Sequence, residues 1–242
     1  MMGVLGGMGP LATADFFSKV IAATAATCDE DHVPLLIQSD PRIPARPAAI
    51  LSGARSPLEA LLAGRDRLIA AGALALAMPC NTAHFWYPEL VQGCSVPFLS
   101  IVDAACNELG WLTAPSARVG IIATRATLAA RIFEAPLFKL GYTLLIPDDL
   151  EIDGLVLPAI ERVKAGQAAQ GGHLIEQAVK RLLSRGASAV ILACTETPLA
   201  LDAVQSELRS RCIDSTGALA RSCVSWWRNH ASMTTAIEAG LN

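Results

Sequence analysis

The first group that could do chemistry is the thiol of Cys80, in the segment MPCNTAH at residues 78–84. The apolar run of residues 73–77 precedes it and predicts a buried strand. A thiol just past the carboxyl end of a parallel strand lies where open α/β sheets bind ligands. Asn81 and Thr82 add short polar side chains, and free N–H groups at a following helix start would suit a carboxylate. A lone cysteine could equally be a small buried hydrophobic residue, so both interpretations stay open here.

A second copy of this pattern ends in Cys194. Residues 67–75 match residues 181–189 at a constant offset of 114, which is also the offset from Cys80 to Cys194. Each copy runs from a helix end through a glycine turn and an apolar strand to the cysteine, and a polar pair follows each thiol. Such a long-period repeat predicts two similar α/β halves. If the halves face each other across a cleft, the two thiols face each other too.

The elements that would position these thiols alternate between strand and helix. Short apolar runs bounded by turns predict strands, and longer runs with apolar residues three and four apart predict helices. The pattern of residues 2–6 restarts at residues 118–123, just after Pro115-Ser116, which predicts a boundary between the halves. This order predicts parallel sheets in a repeating βα fold.

Some local predictions are specific. Thr127 is predicted to cap a helix that runs to residue 139, and Gly171-Gly172 to break the chain before a helix over residues 174–185. At the C-terminus, Ser215 or Thr216 is predicted to cap a helix through residue 227, and residues 229–242 are predicted to be a loose tail because they show no period.

Two loops could hold a carboxylate. The segment GGMGP at residues 6–10 has neither GxGxxG spacing nor a following P-loop lysine, so it predicts an anion-binding turn for a small carboxylate rather than for a nucleotide. A purely structural turn is the alternative. Prolines stiffen the loop of residues 40–47, which carries Arg42 and Arg46. A guanidinium on a stiff loop suits bidentate carboxylate recognition, although an exposed arginine can also simply be solvated.

Composition narrows the class of protein. Of 242 residues, 52% are hydrophobic and 17% charged, with a net charge of −3, which is typical of a compact globular chain. The absence of a basic stripe argues against nucleic acid, and no apolar run reaches the length of a membrane span. The N-terminus lacks the basic flank of a signal peptide, so the chain is predicted to be cytoplasmic. The seven cysteines show no metal-binding spacing and are odd in number, which disfavours zinc sites and disulfide frameworks. Five cysteines are predicted to be core or surface residues without a chemical role: Cys28, Cys94, Cys106, Cys212 and Cys223.

Five separated motifs occur in order along nearly the whole chain: GVLGGMGPLAT, HVPLLIQSDPRIPAR, MPCNTAH, ERVKAG and ACTE. Together they resemble the aspartate/glutamate racemase family, in its aspartate racemase branch. The resemblance implies two Rossmann-like parallel-sheet α/β domains related by a pseudo-two-fold axis, with the active site in the cleft between them. It assigns residues 1–103 with 215–242, the latter a returning C-terminal helix, to one domain and residues 104–214 to the other. It also implies a homodimer that needs no pyridoxal phosphate or other cofactor.

The resemblance further implies a two-base racemisation of an acidic amino acid, aspartate or glutamate, by Cys80 and Cys194. One thiolate removes the Cα proton and the other thiol returns a proton to the opposite face, with roles that swap with the hand of the substrate. Arg46 and Lys164 match positions that bind the side-chain carboxylate of the substrate. The other matched substrate-binding positions are Met8, Asn81, Thr82, Thr124, Thr127, Thr195 and Glu196.

The chain also departs from the family pattern. Ala45 replaces the acid of the family loop Ile-Pro-Asp-Arg, and residues 39–42 read Ser-Asp-Pro-Arg where aspartate-specific relatives carry Asn-Asn-Pro-Gln. A changed side-chain pocket makes glutamate, or a broader set of amino acids that includes homoserine, an alternative. Hydantoin racemases, maleate isomerases and decarboxylases share the scaffold. A non-catalytic carboxylate-binding protein and a thiol–disulfide switch are alternatives from other classes.

Overall fold

The structure is a computed structural model that describes the backbone of residues 1–238 and the side chains of residues 1–230. The first half consists of β1 (Met2–Gly6), α1 (Pro10–Ala23), β2 (Leu35–Ser39), α2 (Arg46–Ser52), α3 (Leu58–Ala70), β3 (Ala75–Ala77), α4 (Tyr87–Val91), β4 (Phe98–Leu99) and α5 (Ile101–Asn107). The second consists of β5 (Arg118–Ile122), α6 (Arg125–Ala129), α7 (Glu134–Lys139), β6 (Thr143–Leu145), α8 (Asp149–Glu151), α9 (Leu157–Lys164), α10 (Ala168–Ser184), β7 (Ala189–Leu192), α11 (Glu196–Ala203) and β8 (Cys212–Asp214), and α12 (Ser215–Glu238) follows. Single 3₁₀ turns cover Asp29–Asp31, Thr82–Trp86, Glu108–Trp111 and Glu207–Arg211, and a π-helical segment, Ile152–Val156, joins α8 to α9.

Each half contains a four-stranded, fully parallel sheet. The strand order is β2-β1-β3-β4 in the first sheet and β6-β5-β7-β8 in the second, so the fifth to eighth strands repeat the arrangement of the first four. The sequence-based prediction of duplicated α/β halves is therefore confirmed. Because β3 and β7 hold equivalent places, the segments that carry the two thiols leave the two sheets at equivalent points.

The sheets share a core between them and have a second core on each outer side. Alternate residues of one strand face different cores, as expected for parallel strands that are buried on both faces. Ala75 and Ala77 belong to the shared core, whereas Leu76 packs in the outer core of the first half. In the same way Ile191 faces the shared core and Leu192 the outer core of the second half.

Helix α12 packs against α1 and α5 and contributes Leu219 and Cys223 to the shared core. This packing supports the proposed assignment of residues 215–242 to the first domain, of which residues 239–242 lie outside the described part of the chain. The loose tail predicted from residue 229 is wrong as far as residue 238, since the helix continues that far.

The predicted chain break at Gly171-Gly172 is wrong, because both glycines lie inside α10. They are needed there for close helix packing rather than for a turn. A Cβ at Gly171 would lie 2.8 Å from the carbonyl oxygen of Ala159, and one at Gly172 would overlap the carbonyl oxygen of Ala200. At these two glycines α10 lies closer to α9 and α11 than a larger residue would permit.

Two further local predictions need correction. Thr127 does not cap a helix: Thr124, with extended backbone geometry, caps α6, and its hydroxyl accepts a hydrogen bond from the backbone N–H of Thr127. The helix predicted to reach residue 139 is divided, and Arg131, with φ of 53°, lies between α6 and α7. Arg46 is not on a loop, since it is the first residue of α2.

Candidate active site

Cys80 lies between β3 and the turn Thr82–Trp86, and its side chain is buried. Its backbone is held by His84, whose Nδ1 lies 2.8 Å from the carbonyl oxygen of Cys80. The other ring nitrogen, Nε2, accepts a hydrogen bond from the N–H of Ile101 at 3.1 Å. The proton must therefore be on Nδ1, which donates to Cys80. Burial lowers the pKa of His84 to about 4, so the ring is neutral at pH 7 and acts as a structural clamp on this loop.

Cys194 lies between β7 and the N-terminus of α11 and is equally buried. Its thiol donates a hydrogen bond to Oε2 of Glu196 at 3.1 Å, and the hydroxyl of Thr195 donates to the same oxygen at 3.0 Å. Glu196 therefore directs its carboxylate at the sulfur atom. The sequence predicted Glu196 as a substrate-binding residue, but its closest polar contacts are with these two neighbours.

Both thiols line one cavity of about 510 Å³ between the two halves. The first half contributes Met8, the segment 41–47, Cys80, Asn81 and Thr82, and the second contributes Thr124, Lys164 and residues 193–196. Each predicted site residue except Thr127 is among them. A larger cavity of about 870 Å³ lies among α6, α7 and β6, but its walls are mainly apolar and contain neither thiol.

Thr127 lies behind the cavity wall and links the two halves. Its buried hydroxyl is 2.7 Å from that of Thr82 in the first half and 3.1 Å from that of Thr124 in the second. Thr82 of the first half is thus held in place by Thr127 of the second half. The structure brings Thr127 to the site as a support for two cavity residues, not as part of the surface a ligand would touch.

The two thiols have different electrostatic surroundings. Burial raises the pKa of Cys80, but the guanidinium of Arg46 opposes this by favouring the thiolate. Burial also raises the pKa of Cys194 well above its usual range, and there the carboxylate of Glu196 adds to the shift, while the backbone N–H of Glu196 and the charge of Lys164 oppose it. Cys80 is therefore the thiol with the better stabilised anion.

Arg46 fastens the loop in front of Cys80. Its Nη1 donates to the carbonyl oxygens of Ile43 and Pro44, each at 3.0 Å, and Nη2 donates to the carbonyl of Met8 at 3.2 Å. Its Nε is buried and has no hydrogen-bond partner among the described residues. A guanidinium has five N–H groups, so part of it stays available for an anion in the cavity.

The other cations of the cavity already have anionic neighbours. Arg42, whose side chain is 88% exposed, makes a bidentate pair with Asp40 at 2.9 and 3.1 Å. Lys164 Nζ lies 3.9 Å from Oε1 of Glu196. The positive charge that faces the cavity is consequently small once these pairs are counted.

Sequence reasoning did not find two residues that support the site. His84 stands in the same short motif as Cys80, and its spacing of four residues was a signal that could have suggested a local contact. Ser215 was predicted only as a helix cap, whereas its hydroxyl accepts a hydrogen bond from Asn81. Nothing local in the sequence joins residues so far apart.

Among the side chains of residues 1–230, no cluster of three or more His, Cys, Asp or Glu is arranged to hold a metal ion.

Comparisons with known proteins agree with this architecture. Residues 5–223 match the family described as Asp/Glu/Hydantoin racemase. The broad specificity amino-acid racemase RacX of Bacillus subtilis is 30% identical over 242 residues, which cover 96% of this chain and all of that protein. The structure of the Picrophilus torridus aspartate racemase superposes with a TM-score of 0.81 at 30% identity, over 93% of both chains. An aspartate racemase homologue from Pyrococcus horikoshii shares the fold, with a TM-score of 0.75 at 23% identity over 94% of this chain and 98% of its own.

Proposed function

We propose a two-cysteine racemisation of amino acids for this chain, which belongs to the Asp/Glu/hydantoin racemase family and is thus an isomerase. The observation that carries the proposal is the pair of thiols in one cavity. Cys80 and Cys194 follow equivalent strands of two similarly built halves and line the same space. Racemisation through a planar intermediate needs an acid and a base on opposite sides of one carbon, and duplicated halves that face each other supply such a pair.

The proposed reaction balances without an outside reagent. A thiolate on one side takes the proton from Cα, so that the C–H bond breaks and an S–H bond forms. The other thiol then gives its proton to the opposite face of the same carbon and becomes the thiolate. The two cysteines exchange roles according to the hand of the substrate, and no step requires oxidation, reduction or pyridoxal phosphate.

The difficult part of this reaction is the weak acidity of the α-proton next to a carboxylate. The site must stabilise the enolate-like charge that develops as the proton leaves. We assign this role to donors beside each thiol, namely the backbone N–H groups of Asn81 and Thr82 on one side and that of Thr195 on the other. The unpaired Nε of Arg46 is the donor we assign to a substrate carboxylate.

An acidic amino acid, aspartate or glutamate, is the substrate predicted from the resemblance, with Arg46 and Lys164 on the side-chain carboxylate. A broader range of amino acids, homoserine included, is the second candidate. The pairing of Arg42 with Asp40 and the position of Lys164 beside Glu196 favour it, because they leave little free charge for a second carboxylate. The similarity to a broad specificity racemase points the same way.

The homodimer and the cytoplasmic location stay proposals. No helix among the described residues is both long and apolar enough to cross a bilayer. Light scattering on the purified protein tests the dimer, with a mass twice that of the 25.4 kDa chain as the expected result.

The decisive experiment uses single enantiomers of aspartate, glutamate, homoserine and other amino acids, without cofactor, in D₂O. Chiral separation measures racemisation and mass spectrometry measures deuterium at Cα. We expect Cys80→Ala and Cys194→Ala to abolish racemisation. The matched control is Cys212→Ala, because Cys212 is as buried as Cys80, each being 6% exposed, but lies outside the cavity.

The same variants separate the alternatives. Turnover of hydantoins or maleate alone would identify another member of the scaffold. Full turnover in Cys80→Ser would exclude the two-cysteine mechanism, and binding without turnover of any compound would favour a carboxylate-binding protein. A thiol–disulfide switch predicts that mild oxidation joins Cys80 to Cys194; both are free thiols in the structure.

A further inference from the structure

A single buried hydroxyl connects the two segments that carry the thiols. Ser215 is the first residue of α12 and is completely buried. Its Oγ accepts a hydrogen bond from Nδ2 of Asn81 at 3.0 Å and donates one to the carbonyl oxygen of Leu192 at 2.9 Å. Asn81 directly follows Cys80, and Leu192 stands two residues before Cys194. The Ser215 hydroxyl therefore connects the backbone that precedes Cys194 with the side chain of the residue that follows Cys80.

The direction of these hydrogen bonds is determined by proton count. A backbone carbonyl can only accept, so the one hydroxyl proton of Ser215 is committed to Leu192. The oxygen of Ser215 can then only accept from the residue opposite, which is Asn81. The amide of Asn81 must accordingly turn its nitrogen toward Ser215 and its oxygen away. The orientation of an asparagine amide is usually ambiguous, but here the chemistry of the neighbours decides it.

The amide oxygen of Asn81 is left without a partner. Asn81 is 3% exposed and lines the cavity, and its Oδ1 has no hydrogen-bond partner among the described residues. A buried acceptor without a donor is costly, so such groups in native proteins call for an explanation. A ligand with an N–H donor beside Cα would supply the missing hydrogen bond.

We propose that Ser215 is a positioning residue that holds Asn81 with its oxygen ready to accept a hydrogen bond from the α-ammonium of the substrate. This inference rests on the proposed function and adds to it the group that distinguishes an amino acid from the same acid without its amino group. It assigns Ser215 no contact with the substrate. It acts by fixing the orientation of the Asn81 amide.

The test compares Ser215→Ala with two controls. Ser215→Thr keeps the hydroxyl and is expected to retain wild-type behaviour. Thr216→Val is the matched control, because Thr216 is the next residue of the same helix, is also completely buried, and has a hydroxyl without a partner in the described part of the chain. Since a net hydrogen bond corresponds to roughly a tenfold change in an equilibrium, we expect Ser215→Ala to lower kcat/KM about tenfold.

A second measurement excludes a merely structural role. Protection of Cys80 from iodoacetamide is measured with L-aspartate against succinate, and with L-homoserine against 4-hydroxybutyrate, which lack only the amino group. In Ser215→Ala we expect protection by the amino acids to weaken about tenfold while protection by the des-amino acids stays the same, because only the ammonium contact depends on the oriented amide. Equal weakening for both members of a pair, or none, would overturn the inference.

The behaviour of the wild-type enzyme distinguishes failure of the proposed function from failure of the role of Ser215. If the wild type racemises no amino acid, the proposed function fails. If it does, but Ser215→Ala keeps the same preference for amino acids over des-amino acids as Thr216→Val, only the role of Ser215 fails. Should Ser215→Ala not fold, Ser215→Cys preserves most of the volume and replaces the oxygen with a weakly accepting sulfur. That variant must show the same loss of preference for amino acids, or the inference is wrong.

Discussion

The thiol of Cys194 donates a hydrogen bond to the carboxylate of Glu196, with Sγ and Oε2 3.1 Å apart, whereas the cation Arg46 lies beside Cys80. If Cys194 is to act as a base, it must first lose its proton, and Glu196 is the nearest acceptor. We therefore predict that Glu196→Gln slows removal of the α-proton by Cys194 about 100-fold, a typical contribution of general acid–base catalysis. The measurement is deuterium exchange at Cα in a Cys80→Ala background, where Cys194 is the only thiol left in the pair.

The Cys80→Ala background is needed because the two enantiomers have equal free energy, so kcat/KM of the intact enzyme must be the same in both directions. The intact enzyme therefore cannot show an effect on one cysteine alone. The control is Glu196→Gln in Cys194→Ala, where exchange by Cys80 should change little. The carboxylate also raises the pKa of Cys194, so its loss should speed alkylation of that thiol. Faster alkylation together with unchanged exchange would show that Glu196 only repels the thiolate and takes no proton.

Replacement of Arg46 should act on the other thiol. The guanidinium partly offsets the burial that raises the pKa of Cys80. We expect Arg46→Met to raise that pKa further and to slow alkylation of Cys80 at pH 8 about tenfold, because the fraction of thiolate falls. Arg42→Met is the control, since that guanidinium is paired with Asp40 and highly exposed. A rate of alkylation that is equally slow in both variants would contradict a specific effect of Arg46.

His84 should make folding stability depend on pH. Its pKa falls from the ordinary 6.5 to about 4 in the folded protein. Between these values the unfolded chain binds a proton that the folded chain does not, so the free energy of unfolding decreases as pH falls from 6.5 to 4. The shift corresponds to at most about 3 kcal/mol. Urea unfolding between pH 4 and 7 should show a shallower pH dependence for His84→Gln, and an unchanged slope would contradict this assignment.

The close packing of α10 predicts a large difference between two glycines. In Gly172→Ala the new methyl group would overlap the backbone of Ala200, which cannot move aside as a flexible side chain could. We expect a loss of about 3 kcal/mol in the free energy of unfolding, at the upper end for overpacked cores. Gly154→Ala is the matched control within helical structure, because its Cβ would have no neighbour within 4 Å among the residues that the structure describes. Equal denaturation midpoints for the two variants would show that α10 can move away from α11.

The duplicated halves and the equivalent positions of Cys80 and Cys194 could be predicted from the amino-acid sequence. These follow from local patterns, since a strand followed by a cysteine at the same point of two repeats must recur at the same edge of two parallel sheets. Most of the other predicted cavity residues follow from the resemblance to the racemase family, among them Lys164 at the end of a helix in a recognisable motif.

The groups that each polar side chain contacts could not be predicted, because they depend on how distant parts of the chain pack together. Asn81 and Ser215 are 134 residues apart in the chain, so no local pattern joins them. Likewise Thr127 supports Thr82 across the two halves, and Gly172 serves helix packing although its type suggests a turn. The direction of a hydrogen bond and the close approach of two backbones depend on which distant groups meet, and that is settled only when the two halves pack together.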